Sequence, residues 1–144
     1  MDKFISAAIE EAKKGLSEGG IPIGSVIVKD GKIIGRGHNK RVQELNPILH
    51  AEIDCLQNAG RIGTYKDTVL YSTLMPCYLC SGAIVQFGIK KVYAGESETF
   101  PGAKEFMESH GVEVIDLNIE ECKEMMRNFI KDNPKLWNED IGKL

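Results

Sequence analysis

Residues 68–80 read Thr-Val-Leu-Tyr-Ser-Thr-Leu-Met-Pro-Cys-Tyr-Leu-Cys, and they contain the junction that decides the fold. The first six residues are mostly β-branched or aromatic, which favours a buried strand. Pro76 is tolerated in the first turn of a helix, so we expect a helix to begin there. Apolar residues at helical spacing follow, and Gly88 would end the helix. This stretch therefore predicts a strand that is followed directly by a helix.

Upstream of this junction, the sequence predicts a helix and a hairpin. Apolar residues recur at helical spacing over residues 2–17. Residues 23–28 are rich in β-branched side chains, and Asp30-Gly31 is typical of a two-residue hairpin turn. Residues 32–37 would then return as an antiparallel neighbour of the first strand.

The rest of the chain alternates between helices and strands. Predicted helices cover 49–59, 102–110 and 119–130, and predicted strands cover 91–94 and 112–116. Strands that are separated by helices imply parallel, right-handed crossovers. The predicted fold class is therefore α/β, a three-layer α/β/α sandwich with a five-stranded mixed sheet. Because no linker or repeat interrupts the pattern, residues 1–144 are predicted to form a single domain.

The composition is typical of a soluble globular protein. Of the 144 residues, 42% are hydrophobic and 27% are charged, and the formal net charge is -3. The chain has no basic stripe of the kind that binds nucleic acid, and it has no apolar run long enough to cross a membrane. No apolar signal core follows the N-terminus. We therefore expect a cytoplasmic protein with reduced cysteines, and with neither nucleic acid nor membrane as a partner.

Two cysteines have the spacing of metal ligands. Cys77 and Cys80 lie three positions apart at a predicted helix start, where the helix dipole favours a thiolate. Alone, this C-x-x-C pair could be a redox pair or half of a structural zinc site. The remaining cysteines are predicted to be core thiols, and the remaining histidines surface or packing residues: Cys55, Cys122, His38 and His110.

A histidine and a glutamate begin the preceding predicted helix, in the sequence His50-Ala51-Glu52. If both helices begin at one edge of the sheet, His50, Cys77 and Cys80 can surround one zinc ion and leave a position for water, as in catalytic sites. Glu52 would then act as a general acid and base without binding the metal. The order H-x-E…P-C-x-x-C is typical of zinc-dependent nucleobase deaminases.

Five further stretches carry a resemblance to a known family: residues 18–24, 35–39, 65–68, 81–84 and 137–142. With the zinc motif, they make nearly the whole chain similar to the fungal-type cytosine deaminases of the cytidine-deaminase-like superfamily. The resemblance implies a homodimer of subunits with the cytidine-deaminase-like fold and one zinc ion per subunit. It also implies hydrolysis of cytosine to uracil and ammonia in pyrimidine salvage, with residues 134–144 closing over the active site.

The same resemblance implies roles for individual residues. The implied zinc ligands are His50, Cys77 and Cys80, and the implied proton carrier is Glu52. The implied substrate contacts are Asn39, the backbone N–H of Ala51, the apolar Ile23, Phe100 and Trp137, and Asp140. Four of these have a structural alternative: Asn39 as a turn residue, Phe100 as a core aromatic, Trp137 as an anchor of the tail and Asp140 as a solvated carboxylate.

Three positions depart from the family pattern. Met75 stands where the family has serine, Asn138 where it has a bulky aromatic residue, and Ala51 where it has glycine. Because Met75 and Asn138 lie near the expected pocket, isocytosine, guanine-like bases and creatinine-like rings stay open as substrates. A further alternative is adenosine in tRNA, which would require a basic groove. The last alternative is a zinc-binding protein without activity, which would have no use for Glu52.

Overall fold

The structure is a computed structural model that describes residues 2–144. The strands are β1 (Gly24–Lys29), β2 (Lys32–His38), β3 (Thr68–Ser72), β4 (Lys91–Ala94) and β5 (Glu113–Asp116). The helices are α1 (Lys3–Ser17), α2 (Ala51–Ala59), α3 (Tyr78–Gln86), α4 (Lys104–Ser109), α5 (Glu120–Asp132) and α6 (Pro134–Asp140). Among the helices formed by residues 2–144, none is both long and apolar enough to span a membrane.

The strands form one mixed sheet in the order β2-β1-β3-β4-β5. Strand β1 is antiparallel to both β2 and β3, whereas β3, β4 and β5 are parallel. The hairpin between β1 and β2 turns at Asp30 and Gly31, which both have positive φ, as a tight turn between twisted strands requires. The predicted α/β class and the five-stranded mixed sheet are confirmed.

Helices cover both faces of the sheet. On one face, α1 packs against β1 through Ala8 and Val26, and α5 lies beside α1, where Lys13 pairs with Glu121 at 2.8 Å. On the other face, α2, α3 and α4 bury a second cluster against the sheet, which includes Ile27, Cys55, Leu70, Ile84, Val92 and Met107. Because both faces are covered, β1 and β3 are buried over most of their length and do not alternate between buried and exposed residues.

Two boundaries differ from the sequence predictions. Helix α3 begins at Tyr78, so Pro76 lies before the helix and not in its first turn. The expected polar tail contains a short helix, α6, with Pro134 at its first position. Proline is a common start signal at that position, but α6 is too short to show the apolar periodicity that marks α1 and α5.

Helix α2 approaches β2 very closely. A Cβ atom at Gly37 would lie 2.5 Å from the backbone nitrogen of Cys55 and 2.6 Å from Oδ2 of Asp54. The Asp54 carboxylate accepts a hydrogen bond from the backbone N–H of His38 at 3.1 Å and another from Nζ of Lys40, also at 3.1 Å. This contact therefore joins the first turn of α2 to the end of β2.

We expect Gly37→Ala to destabilise the protein by about 1–3 kcal/mol, because the added methyl group overpacks the contact between α2 and β2. The midpoint of urea denaturation measures the change. Gly82→Ala is the matched control, since a Cβ atom there would meet open space within a helix. An unchanged midpoint for Gly37→Ala would contradict the close approach.

Candidate zinc centre and substrate pocket

The N-caps of two helices form the candidate zinc centre. His50 is the N-cap of α2, and Cys77 is the N-cap of α3. Cys80 lies in the first turn of α3, one turn along the same side as Cys77. Nδ1 of His50 lies 3.5 Å from Sγ of Cys77, and the ligand atoms of the three residues lie within 4.8 Å of one another. The two halves of the sequence motif therefore meet in space.

This geometry fits a zinc ion. Nitrogen at about 2.0 Å and sulfur at about 2.3 Å from a tetrahedral ion lie about 3.5 Å apart, and His50 and Cys77 are separated by 3.5 Å. One imidazole and two thiols leave a fourth position for water, as in catalytic zinc sites. The three residues could therefore hold zinc with one position open.

Hydrogen bonds within this group favour the thiolate of Cys77, whereas the hydrogen bond with Cys77 and burial raise the pKa of Cys80. The pKa of Cys77 is lowered to about 4, first by a hydrogen bond from Cys80 and then by His50, although burial opposes the shift. Burial would lower the pKa of His50, but the hydrogen bond with Cys77 and the charge of Asp140 raise it. Because the thiolate is the form of cysteine that binds metals, Cys77 is suited to do so at neutral pH.

Glu52 lies beside this group. It is 4% exposed, and burial raises the pKa of its carboxyl to about 7, with a smaller rise from the charge of Cys77. A carboxyl group that titrates near neutral pH can both accept and donate a proton. Positions 50 and 52 do not share a helix face, yet both side chains line one cavity, because His50 is a cap that precedes the helix.

The cavity next to His50 and Glu52 has a volume of about 240 Å³. Its other lining residues are Ile23, Asn39, Leu74, Met75, Cys77, Tyr78, Leu79, Phe100, Trp137, Asp140 and Ile141. The rings of Phe100 and Trp137 meet edge to face, with centroids 6.1 Å apart and an interplanar angle of 86°. Cys80 and Ala51 are completely buried next to lining residues. A cavity with largely apolar walls thus adjoins the candidate zinc centre.

Asn39 presents a hydrogen-bond donor to this cavity. The residue is completely buried, and its Oδ1 accepts a hydrogen bond from the backbone N–H of Arg41 at 3.1 Å. Among the described residues, Nδ2 makes no hydrogen bond of normal geometry, although the Asn39 side chain lies close enough to Asp140 to offset part of the rise that burial causes in the pKa of that carboxyl. A buried donor without a partner is costly unless a ligand or water satisfies it, so Nδ2 is available to a carbonyl oxygen in the cavity.

Asp140, the last residue of α6, lies beside His50 of the candidate zinc centre. Its side chain is 6% exposed, and Oδ1 lies 3.7 Å from Nε2 of His50 and 3.3 Å from Nε of Arg41. Burial raises the pKa of Asp140, while the charges of His50 and Arg41 oppose the rise. A carboxylate on the second ring nitrogen commonly orients a metal-binding histidine. Asp140 is therefore a buried group of the site and not a solvated carboxylate.

His38 is more than a surface or packing residue. It is 3% exposed, and its Nδ1 lies 2.9 Å from Glu11 while its Nε2 lies 2.8 Å from Glu18. The imidazole therefore joins the end of β2 to both the middle of α1 and the residue that follows it. This contact supports the position of Asn39, the next residue along the chain.

Several residues at the cavity were not identified from the sequence. Tyr78 and Leu79 lie between the two cysteines in the first turn of α3. The sequence motif could therefore have indicated that they lie at the cavity. Leu74 and Ile141 carry no motif of their own. Arg41 lies in a loop without periodicity, and its contact with Asp140 spans most of the chain. No local pattern could have indicated that contact.

The fold, the His-Cys-Cys group and the adjacent glutamate define a zinc-dependent deaminase. Residues 1–96 match the family described as the cytidine and deoxycytidylate deaminase zinc-binding region, and the chain belongs to this family. It is a hydrolytic aminohydrolase with zinc as its cofactor.

Relatives within the family differ in their substrates. A cytosine deaminase of Candida albicans is 49% identical over 143 residues, which cover 97% of this chain and 95% of the relative. A tRNA-specific adenosine deaminase of Streptococcus pyogenes is 39% identical over 140 residues, covering 89% of this chain and 88% of the relative. A solved guanine deaminase from Bacillus subtilis has a TM-score of 0.62 at 32% identity, covering 78% of this chain and 73% of that chain. The predicted resemblance to cytosine deaminases is confirmed.

We expect the purified protein to contain one zinc ion per chain and the Cys77→Ala variant to lose it, because His50 and Cys80 alone cannot hold the ion tightly. Metal analysis after dialysis measures the occupancy. Cys122→Ala is the matched control, since this thiol is 1% exposed and lies outside the group of three. Full occupancy in Cys77→Ala would show that Cys77 is not a ligand.

Proposed function

We propose that this protein deaminates cytosine to uracil and ammonia. The observation that carries the proposal is the 49% identity to a cytosine deaminase, which extends over 97% of the chain. The cavity supports it, because about 240 Å³ is below the range of about 300–1,000 Å³ that is typical for drug-sized ligands. A single-ring base suits this space better than a purine or a looped-out nucleotide.

In this proposal, His50, Cys77 and Cys80 hold the zinc ion. A zinc ion in such a site lowers the pKa of water towards neutrality and so makes hydroxide available. Glu52 takes the proton of the attacking water and transfers it to N3 of the base, which makes C4 more electrophilic. After the water oxygen has added to C4, Glu52 carries the second proton to the amino group. The C4–N bond then breaks and ammonia leaves, so that one water is consumed for each uracil formed.

The remaining pocket residues would orient the base. Asn39 would donate through Nδ2 to the ring carbonyl at C2, since this donor is buried without a protein partner. The backbone N–H of Ala51 would donate to the same oxygen. The apolar side chains of Ile23, Phe100 and Trp137 line the cavity and would pack against the ring. Asp140 would help to close the pocket, and α6 as a whole would exclude water from the reaction.

Met75 is the departure from the family pattern that bears most directly on the substrate preference. It is 1% exposed and lines the cavity, whereas Asn138 lies outside the set of lining residues. A thioether in place of a hydroxyl group removes a hydrogen-bonding group from the pocket wall. Isocytosine, guanine and creatinine are therefore the informative competitors of cytosine.

Deamination of adenosine in tRNA is the second candidate, because a relative with that activity is 39% identical. Two features of this chain disfavour it. The net charge is -3, and binding to nucleic acid depends on neutralising phosphates with basic side chains. In addition, Trp137 and Asp140 line the cavity from α6 and leave little room for a polynucleotide.

We expect cytosine to give a kcat/KM at least about 100-fold above that of isocytosine, guanine, creatinine, adenine or a tRNA anticodon stem-loop, since unpaired polar groups penalise the wrong base. Ammonia release from the zinc-loaded protein measures each rate. Preferred turnover of another member of the panel would reassign the substrate.

Glu52→Gln is the control within the same experiment. It should keep zinc but lose about 10²–10⁴-fold or more in rate with cytosine, because the amide cannot transfer protons. Turnover near the wild-type rate in zinc-loaded Glu52→Gln would remove Glu52 from the mechanism.

We also propose that the protein is a cytoplasmic homodimer that serves pyrimidine salvage. The four free cysteines suit a reducing compartment. Tyr78 and Leu79, on the first turn of α3, are 73% and 44% exposed, and exposed apolar side chains beside an active site commonly mark an interface. Sedimentation equilibrium should give a particle of two 15.9 kDa chains. A single-chain mass at micromolar concentration would contradict the homodimer.

A further inference from the structure

We propose that the Arg41 side chain is a positioning residue, which holds Asp140 and thereby keeps helix α6 closed over the pocket. The identity of the substrate in this inference rests on the proposed cytosine deamination. The closing of α6 by Arg41 does not, because it follows from contacts within the chain.

Arg41 is buried in the contact between a loop and the C-terminal helix. Its side chain is 8% exposed. Nε donates a hydrogen bond to the backbone oxygen of Pro47 at 2.9 Å and lies 3.3 Å from Oδ1 of Asp140. Nη2 lies 3.7 Å from Oε1 of Glu139, the preceding residue of α6. The guanidinium group thus bridges residues 39–49 and the last turn of α6.

The ion pair between Arg41 and Asp140 is buried on both sides. The two side chains are 8% and 6% exposed, respectively. The imidazole of His50 also lies near Asp140, with Nε2 3.7 Å from Oδ1, but an imidazole that binds zinc is neutral. Removing one partner of a buried pair leaves the other charge without compensation, which is strongly unfavourable. Without the Arg41 side chain, the carboxylate of Asp140 would gain by moving out to water, and the end of α6 would move with it.

Helix α6 is a segment that such a change could release. It has seven residues, of which Trp137 is the buried one, and short elements with few buried apolar contacts open locally at low cost. Its main apolar anchor is Trp137, which packs with Ile21 and Phe129. Since this anchor is only one turn before Asp140, loss of the ion pair would loosen the final turn of α6 and with it the packing of Trp137.

Arg41 also adjoins the recognition residue of the pocket. Its backbone N–H donates to Oδ1 of Asn39, which turns Nδ2 of the amide towards the cavity. The side chain anchors the same loop at Pro47. A lysine could keep the charge, but it lacks the Nε–H that donates to Pro47 while the guanidinium group lies against Asp140. Arg41→Lys is therefore expected to restore only part of the function.

The first test uses Arg41→Met and Arg41→Lys with cytosine as substrate. We expect Arg41→Met to raise KM at least about tenfold while kcat changes about threefold or less, because the variant weakens closure of α6 but removes neither a zinc ligand nor Glu52. Arg41→Lys should fall between Arg41→Met and wild type. Zinc content should stay at one ion per chain in both variants. Arg127→Met is the matched control, since Arg127 is 57% exposed in a surface ion pair with Glu120.

The second test does not depend on the substrate. Trp137 is the only tryptophan of the chain, so its emission reports the docking of α6 directly. We expect Arg41→Met to shift this emission to longer wavelength and to speed hydrogen exchange in residues 134–144 at least about tenfold, with α5 unchanged. Asp140→Asn should produce the same changes, and the double variant should be no worse than the more affected single variant.

Two results would overturn the proposal. One is wild-type emission and exchange of α6 in Arg41→Met. The other is an opening of α6 in Arg41→Met that Asp140→Asn does not produce, with effects of the two substitutions that add fully in the double variant. If α6 opens as expected but wild-type protein does not turn over cytosine, the proposed substrate fails and the role of Arg41 stands.

Discussion

The candidate zinc centre depends on two helices that begin at the same edge of the sheet. His50 and Cys77 are the caps of these helices, so their side chains project from the two helix starts into a common space. The positive ends of both helix dipoles also converge there, and hydrogen bonds with Cys80 and His50 favour the thiolate of Cys77. Cys80 follows within the first turn of α3. A shift of either helix start by one residue would turn a ligand away from the site, and His50, Cys77 and Cys80 are the one group of three possible metal ligands that the described residues bring together.

Much of the structure around this centre keeps buried polar groups paired. Asp54 accepts hydrogen bonds from His38 and Lys40, and Asp140 lies against Arg41. Buried pairs of this kind contribute little net stability compared with apolar packing. Here they act on residues 38–41, the segment that carries Asn39 into the pocket. We therefore interpret these pairs as a means of fixing the position of the recognition residue, at some expense of stability.

The sequence was sufficient to predict the order of most elements, and the reason is local. The apolar residues that β1 and α1 bury lie within one short segment of sequence each, where their spacing indicates a strand or a helix. It was not sufficient for helix α6, whose seven residues contain only one buried apolar residue, Trp137. Nor did it place Pro76 correctly, because proline is compatible both with the first turn of a helix and with the residues that precede it. These errors fall at the ends of elements, where the local preferences are weakest.

The sequence by itself determined the donor set of the zinc centre and the reaction class, because both depend on residue types at short spacings: His50 with Glu52, and Cys77 with Cys80. Only the tertiary structure decided what surrounds that chemistry. It turned His38 into a link between β2 and α1, left Nδ2 of Asn39 without a partner, and brought Arg41 to Asp140. These contacts join residues that are far apart in the chain. They form only when the sheet and both helix layers have packed, and no local pattern of residues encodes them.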